Sequence, residues 1–176
     1  ELATPDILAD PRFPGLRVAV SATTRRRRPG ERDGVHYHFL SEEEFARRVA
    51  AGDFLEHVVY AGNSYGTLRS EIDRILAEGN SPIVEIELAG ARAVRGTIPG
   101  AVSIFISPPS LEELVARLER RNTDTAGEIA KRVETSRVEL DAMNEFDHRV
   151  VNADVDVAVE DLTRVLASVL GEEPRG

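Results

Sequence analysis

A chain of 176 residues with a formal net charge of −9 and no cysteine is long enough to bury one sizeable core, and it excludes a disulfide framework, a thiolate metal site and a cysteine nucleophile. Apolar residues at 41% and charged residues at 30% are ordinary for a globular domain, while the overall acidity speaks against a broad nucleic-acid surface. No apolar run approaches the roughly 20 residues of a membrane helix, so the expectation is a single domain, 1–176, in a reducing cytoplasm, with no nucleic-acid or membrane partner.

In chain order, Leu16 to Val20 (LRVAV) reads as a buried strand. SEEEFARRVAAG reads as a helix, with Ser41 as cap, Glu44 completing a capping box and Gly52 ending it. FLEHVVYAGNSYGT gives a strand, a Gly-Asn turn and a return strand. LRSEIDRILAEG is an amphipathic helix with Ile72, Ile75 and Leu76 on one face and Gly79 beyond its end. PIVEIEL and AVSIFIS are near-continuous apolar runs of the kind found in parallel sheets, joined by a crossover helix over AGARAVRGTIPG. A helix capped by Ser110, with Leu111, Leu114, Val115 and Leu118 inward, a long charged helix from Ala126, the strand HRVVN and a closing helix over DVAVEDLTRVLASVL complete the pattern. Alternating strands and helices predict an α/β fold of three layers with a mainly parallel sheet. Such sheets bind ligands past the carboxyl ends of their strands, which puts Ser21, Glu85 to Glu87 and Asn152 on the working edge.

Against the acidic background, Arg25 to Arg28 form a run of four arginines closed by Pro29 and Gly30, which favour a turn. A solvated loop, a nucleic-acid arm and a paired guanidinium grip on one phosphate all fit that run by itself. His36, His38, His57 and His148 lack metal-ligand spacing and read as sheet or surface residues.

The surroundings of the run narrow the choice. VSATTRRRRPGERDGVHYHF resembles the S-x-T-T-R-x-x-R-x-G-E-x-x-G-x-x-Y-x-F stretch of the guanylate kinase family at each defined position. FLEHVVYAGNSYGT, VEIELAG, IFISPPSLEELVARLERRNTDT, IAKRVE and VVN follow in the family's order, so the resemblance runs from about Val20 to the end of the chain.

That resemblance implies a P-loop NTPase-like fold carrying a GMP-binding region over 25–80 and a lid over 122–135, with the core formed by 1–24, 81–121 and 136–176. It implies transfer of the ATP γ-phosphate to GMP, with Mg²⁺ accompanying ATP. Carried over by position, Arg25 and Arg28 hold the acceptor phosphate, Tyr37 and Tyr65 add phenolic hydrogen bonds, and Glu31 orients the loop. Ser21 and Thr67 meet the O6 side of guanine, and Glu56 accepts from its N1–H and amino group. A carboxylate is acceptor-only and so suits two donors, whereas adenine offers an acceptor at N1. Glu85 falls where an acidic residue supports Mg²⁺, and Glu87 where one reaches the guanine or its waters. Here Glu87 and Ala89 stand where the family often has Asp and Gln. Arg117, Arg121 and Arg132 match the arginines that stabilise the transferring phosphoryl group, with Asn122 in place of a glycine, and Asn152 matches a position near the adenine of ATP.

The family's phosphate loop, G-x-x-x-x-G-K-[ST], does not occur in this sequence, whose only lysine is Lys131. Two expectations follow. Either the chain, which opens on Glu1 rather than Met, is an N-terminally truncated guanylate kinase lacking the first strand and phosphate loop, with impaired turnover. Or it is a pseudo-enzyme module that binds GMP or a phosphopeptide.

Overall fold

The computed structural model describes residues 7–8, 10–60, 62–121 and 126–171, with the backbone alone at residues 121, 126, 128 and 131. Two compact units are present, Pro11–Ala101 and Val102–Gly176 with Glu1–Asp10.

In the first unit, β1 (Leu16–Val18) runs parallel to β6 (Ser81–Ile83), with Leu16 opposite Ser81 and Val18 opposite Ile83. The longer strand expected over Pro82 to Leu88 is not formed. Its partner ends first: the bond from the Ala19 amide to the Ile83 carbonyl, at 2.9 Å, closes the ladder. Past it no further ladder forms among the described residues, and the chain goes into α3 (Leu88–Thr97).

The second sheet has four strands in the order β3-β2-β5-β4. β2 (Ala22–Thr23) and β3 (His38–Phe39) are too short for any hydropathy period to announce them. β4 (Phe54–Tyr60) and β5 (Asn63–Leu68) form the expected hairpin. Tyr60 pairs with Asn63, so Asn63 belongs to the return strand and not to the expected Gly62-Asn63 turn. Gly62 takes a φ of 78°, a left-handed angle that glycine adopts without strain.

Helix α1 (Glu42–Ala51) starts where Ser41 accepts from the Glu44 amide and stops at left-handed Gly52. The reciprocal half of the capping box is replaced: the two Glu44 oxygens accept from Arg47 and Arg48. Phe45 is the one buried residue of this polar helix, stacked on Phe54 with ring centroids 4.4 Å apart. A buried aromatic ring is worth about 2–3 kcal/mol relative to an exposed one, so this contact is the main anchor of α1.

Helix α2 (Arg69–Ala77) buries Glu71, Ile72 and Ile75. Leu76, expected inward, is 55% exposed. Glu71 explains the rotation: its Oε1 accepts from the Val20 amide at 3.2 Å, turning the 71/72/75 stripe inward and carrying Leu76 to the rim. Two apolar clusters result. Ala19, Leu55, Ile72 and Ile75 pack with Val84, Val94 and Ile98, and Ala22, Phe45, Phe54 and Leu68 pack with Leu40 and Val49.

In the second unit, β7 (Ile104–Ser107) runs parallel to β8 (His148–Val151), with Ile104 opposite His148. Helix α4 (Leu111–Arg121), whose Glu113 amide is capped by the Ser110 hydroxyl, packs on α5 (Ala126–Asp141). A 3₁₀ turn (Ala142–Glu145) leads into β8, and α6 (Val155–Leu170) packs back on that strand through Ala158, Leu162 and Leu166. Asp154 caps α6 by accepting from the amides of Asp156 and Val157. Of the expected lid, 122–125 lie outside the described residues, and the remainder is the first part of α5. Among the described residues no helix is long and apolar enough to cross a membrane.

Candidate functional site

The site lies on one face of the four-stranded sheet. Residues opposite one another in a ladder share a face. Phe39, Thr23, Tyr65 and Val58 therefore form one row across all four strands. On the other face lie His38, Ala22, Gly66 and His57. In a regular strand Phe54 and Glu56 would share a face, because side chains alternate with period two. A bulge prevents this: Phe54 pairs with Leu68, but Glu56 already pairs with Thr67. The bulge sends Phe54 to the apolar cluster under the sheet and turns Glu56 to the face that carries Tyr65 and Val58.

Glu56 is 8% exposed and Thr67 fully buried, and the Thr67 hydroxyl donates to Glu56 Oε1 at 2.8 Å. A buried carboxylate without partners is strongly unfavourable, so this bond both permits and orients it. Glu56 borders a cavity of about 300 Å³ together with Ser21, Tyr37, Val58, Tyr60, Tyr65, Gly66, Glu85, Ile86 and Glu87. That is near the lower end for small-molecule sites.

The arginine-bearing loop stands beside this cavity. Thr23 Oγ1 accepts from the Arg25 amide at 3.1 Å, and Thr24 Oγ1 accepts from the Ser64 amide at 2.9 Å, fixing the loop's departure from β2. Pro29 and Gly30, with φ 87° at Gly30, reverse the chain, and the Glu31 amide donates to the Arg28 carbonyl at 3.1 Å. The turn brings Glu31 back under the arginines. Its carboxylate accepts from Arg25 through both terminal nitrogens, at 2.7 and 3.2 Å, and from the Arg28 amide at 2.6 Å. The Arg25 bond, then the Arg28 amide, hold the Glu31 carboxyl below its ordinary value, and the Arg25 guanidinium is raised by the same bond. Arg25 also lies over two rings, 5.5 Å from the Tyr37 centroid and 5.8 Å from that of Phe39. Tyr37 and Tyr65 meet edge to face at 6.2 Å.

Of the residues singled out in the sequence, Ser21, Tyr37, Glu56, Tyr65, Glu85 and Glu87 thus surround one cavity. Thr67 bonds to Glu56, and Arg25 with Glu31 stands on Tyr37. The Arg28 side chain is exposed, while its amide and carbonyl are both bonded to Glu31. Glu85 and Glu87 are exposed, Glu87 as the N-cap residue of α3. Arg117, Arg121, Arg132 and Asn152 belong to the other unit. Arg117 donates to Glu113 Oε1 at 2.9 Å and to the Ala153 carbonyl at 3.2 Å. Arg132 is half-buried on α5, and the Arg121 side chain lies outside the described residues. Asn152 follows β8 and its amide donates to the Ser107 carbonyl at 2.7 Å.

Sequence reasoning missed Val58, Tyr60, Phe39 and Ile86. The first two were recoverable by counting alternate positions from Glu56, and Phe39 by counting two beyond Tyr37. Among the described residues no cluster of three His, Asp or Glu side chains forms a metal site. Glu85, an exposed carboxylate at the cavity, is a hard oxygen donor, and it fits a magnesium ion that takes most of its ligands from water and phosphate.

The sequence pattern of the guanylate kinase family matches residues 9–169. A guanylate kinase of Frankia casuarinae is 49% identical over 160 residues, spanning 91% of this chain and 85% of its own. One of Bifidobacterium longum is 50% identical over 163 residues, spanning 90% and 83%. The crystal structure of guanylate kinase from Anaplasma phagocytophilum superposes with a TM-score of 0.73 at 30% identity, covering 93% of this chain and 81% of that one. The fold is that of an α/β, P-loop NTPase-like kinase. The chain belongs to the guanylate kinase family.

Proposed function

We propose that the protein acts as a guanylate kinase, moving the γ-phosphoryl group of ATP to GMP and giving GDP. The observation that carries this reading is the cavity in which a buried, hydroxyl-oriented carboxylate, Glu56, stands on the same sheet face as a guanidinium held by Glu31 and two rings.

In this reading Glu56 accepts from guanine N1–H and the 2-amino group, while Ser21 and Thr67 address the O6 side and Glu87 the guanine edge or its waters. Adenine would leave the Glu56 lone pairs facing an acceptor, and unpaired buried polar groups are the strongest basis of discrimination. Arg25 and Arg28 take the acceptor phosphate with the Tyr37 and Tyr65 hydroxyls, which fixes the attacking oxygen. Arg117, Arg121 and Arg132 supply positive charge to the transferring oxygens, and Asn152 borders the adenine of ATP. Magnesium, supported by Glu85, would neutralise charge on the ATP phosphates.

The test is calorimetric titration with GMP and AMP, followed by chromatographic detection of GDP in a mixture of ATP, GMP and magnesium. GMP should bind at least 100-fold more tightly than AMP, on the scale of about 1–3 kcal/mol for each buried group left unpaired, and GDP should accumulate, though slowly, since the family's phosphate loop does not occur in this sequence. Equal binding of the two nucleotides would overturn the guanine assignment. GMP binding with no GDP formed would leave a binding module in place of a kinase.

A further inference from the structure

Helix α3 holds two glycines, Gly90 in its first turn and Gly96 near its end, and they stand in opposite surroundings. A Cβ built on Gly96 meets nothing within 4 Å. A Cβ built on Gly90 would lie 3.0 Å from Glu56 Oε2, 3.3 Å from Glu56 Cδ and 3.1 Å from Ile86 Cβ. Neither glycine has a left-handed φ, so no backbone angle calls for glycine at either position. In a helix interior alanine is favoured over glycine. What Gly90 supplies is space, and the space is taken by the Glu56 carboxylate.

We propose that Gly90 is a specificity-determining position: its missing side chain lets the first turn of α3 close on Glu56 and sets the direction of that carboxylate in the cavity. The inference rests on the reading of Glu56 as the acceptor for guanine. The carboxylate is held from two sides. Thr67 Oγ1 donates to Oε1 from β5, and Oε2 lies 3.0 Å from where a Cβ on residue 90 would stand. Any side chain at 90 would push Oε2 toward the cavity or break the Thr67 bond. Ile86 on the cavity wall would be displaced by the same atom. A carboxylate must meet N1–H and the 2-amino group together in one plane, so a shift of a few tenths of an ångström weakens the second contact first.

The experiment compares GMP with IMP, which keeps N1–H and lacks the 2-amino group, by calorimetry on Gly90→Ala, Glu56→Ala, the double variant and Gly96→Ala. Gly90→Ala should weaken GMP binding about tenfold, the scale of one charge-assisted hydrogen bond, and bring the GMP-to-IMP affinity ratio toward one. Added to Glu56→Ala, it should change GMP binding less than twofold, since the group it acts through is gone. Gly96→Ala should leave both affinities unchanged and raise the thermal midpoint by about 2 °C. If Glu56→Ala itself leaves GMP binding intact, the guanine assignment of Glu56 falls and this inference with it. If Glu56→Ala weakens binding while Gly90→Ala keeps the affinity and the ratio, the inference alone falls. Should Gly90→Ala not fold, the double variant decides: recovered folding supports the clash with Glu56, and continued failure overturns it.

Discussion

Glu31 grips Arg25 through both carboxylate oxygens and, with one of them, also takes the backbone amide of Arg28. One side chain therefore closes the turn and aims the guanidinium. Replacing it by Gln keeps the size, removes the charge and halves the acceptors. Glu31→Gln is expected to weaken GMP binding about tenfold with little change in the thermal midpoint, because the pair lies at the surface of the unit. Calorimetry at low ionic strength, beside a melting curve, checks both halves.

The arginine run divides by environment. Arg25 is bonded to Glu31 and stacked on Tyr37 and Phe39, whereas the Arg26 side chain is exposed. Arg25→Ala should lower GMP affinity by about 10- to 100-fold, the range of one or two charge-assisted bonds. Arg26→Ala should stay within twofold. Equal losses from the two would contradict the division.

Thr67→Val keeps the shape and removes the donor to Glu56. A buried carboxylate oxygen loses its protein partner, so unfolding stability should fall by about 1–3 kcal/mol. The GMP preference over AMP should fall with it, since the orientation of Glu56 is lost. Urea denaturation and competitive titration read the two effects separately.

Glu71 gives a pH dependence with a defined sign. The Arg74 bond, followed by the Val20 amide and the nearby His38, holds its carboxyl below the ordinary carboxylate range, against the opposing effect of burial. A group with a depressed folded value stabilises the fold above its unfolded value and loses that contribution as pH falls through the folded one. Glu71→Gln should therefore be less stable than the parent above about pH 5, by on the order of 2 kcal/mol. The gap should narrow below pH 4.5. Urea midpoints from pH 6 to pH 3 measure it, and a gap that stays constant or widens in acid would count against this account.

Some of this was legible in the sequence because it follows from local rules. The Ser41 cap, the Gly52 stop and the α4 cap at Ser110 each depend on a few adjacent residues. Motif spacing named the candidate residues, and the structure gathers six of them around one cavity. What escaped depends on distant partners. β6 stops at Ile83 because β1 leaves it, and Leu76 turns outward because Glu71 reaches Val20, 51 positions away. The two-residue strands β2 and β3 exist only through their ladders to β5 and to each other. By sequence Gly90 is one more residue of the crossover helix, and only the approach of Glu56 gives its missing side chain a reason.

The bulge at residue 55 makes β4 a strand whose phase matters more than its composition. Substitutions along it alter one contact each, but drawing Leu55 into a regular place in the ladder, with Phe54 kept on its cluster, would re-phase every position up to Tyr60. Glu56 and Val58 would then turn into the apolar cluster, and Leu55 and His57 would face the cavity. A frame shift of one residue, leaving all the side chains in the chain, would erase the site, whereas an alanine scan of the same strand would dismantle it only one contact at a time.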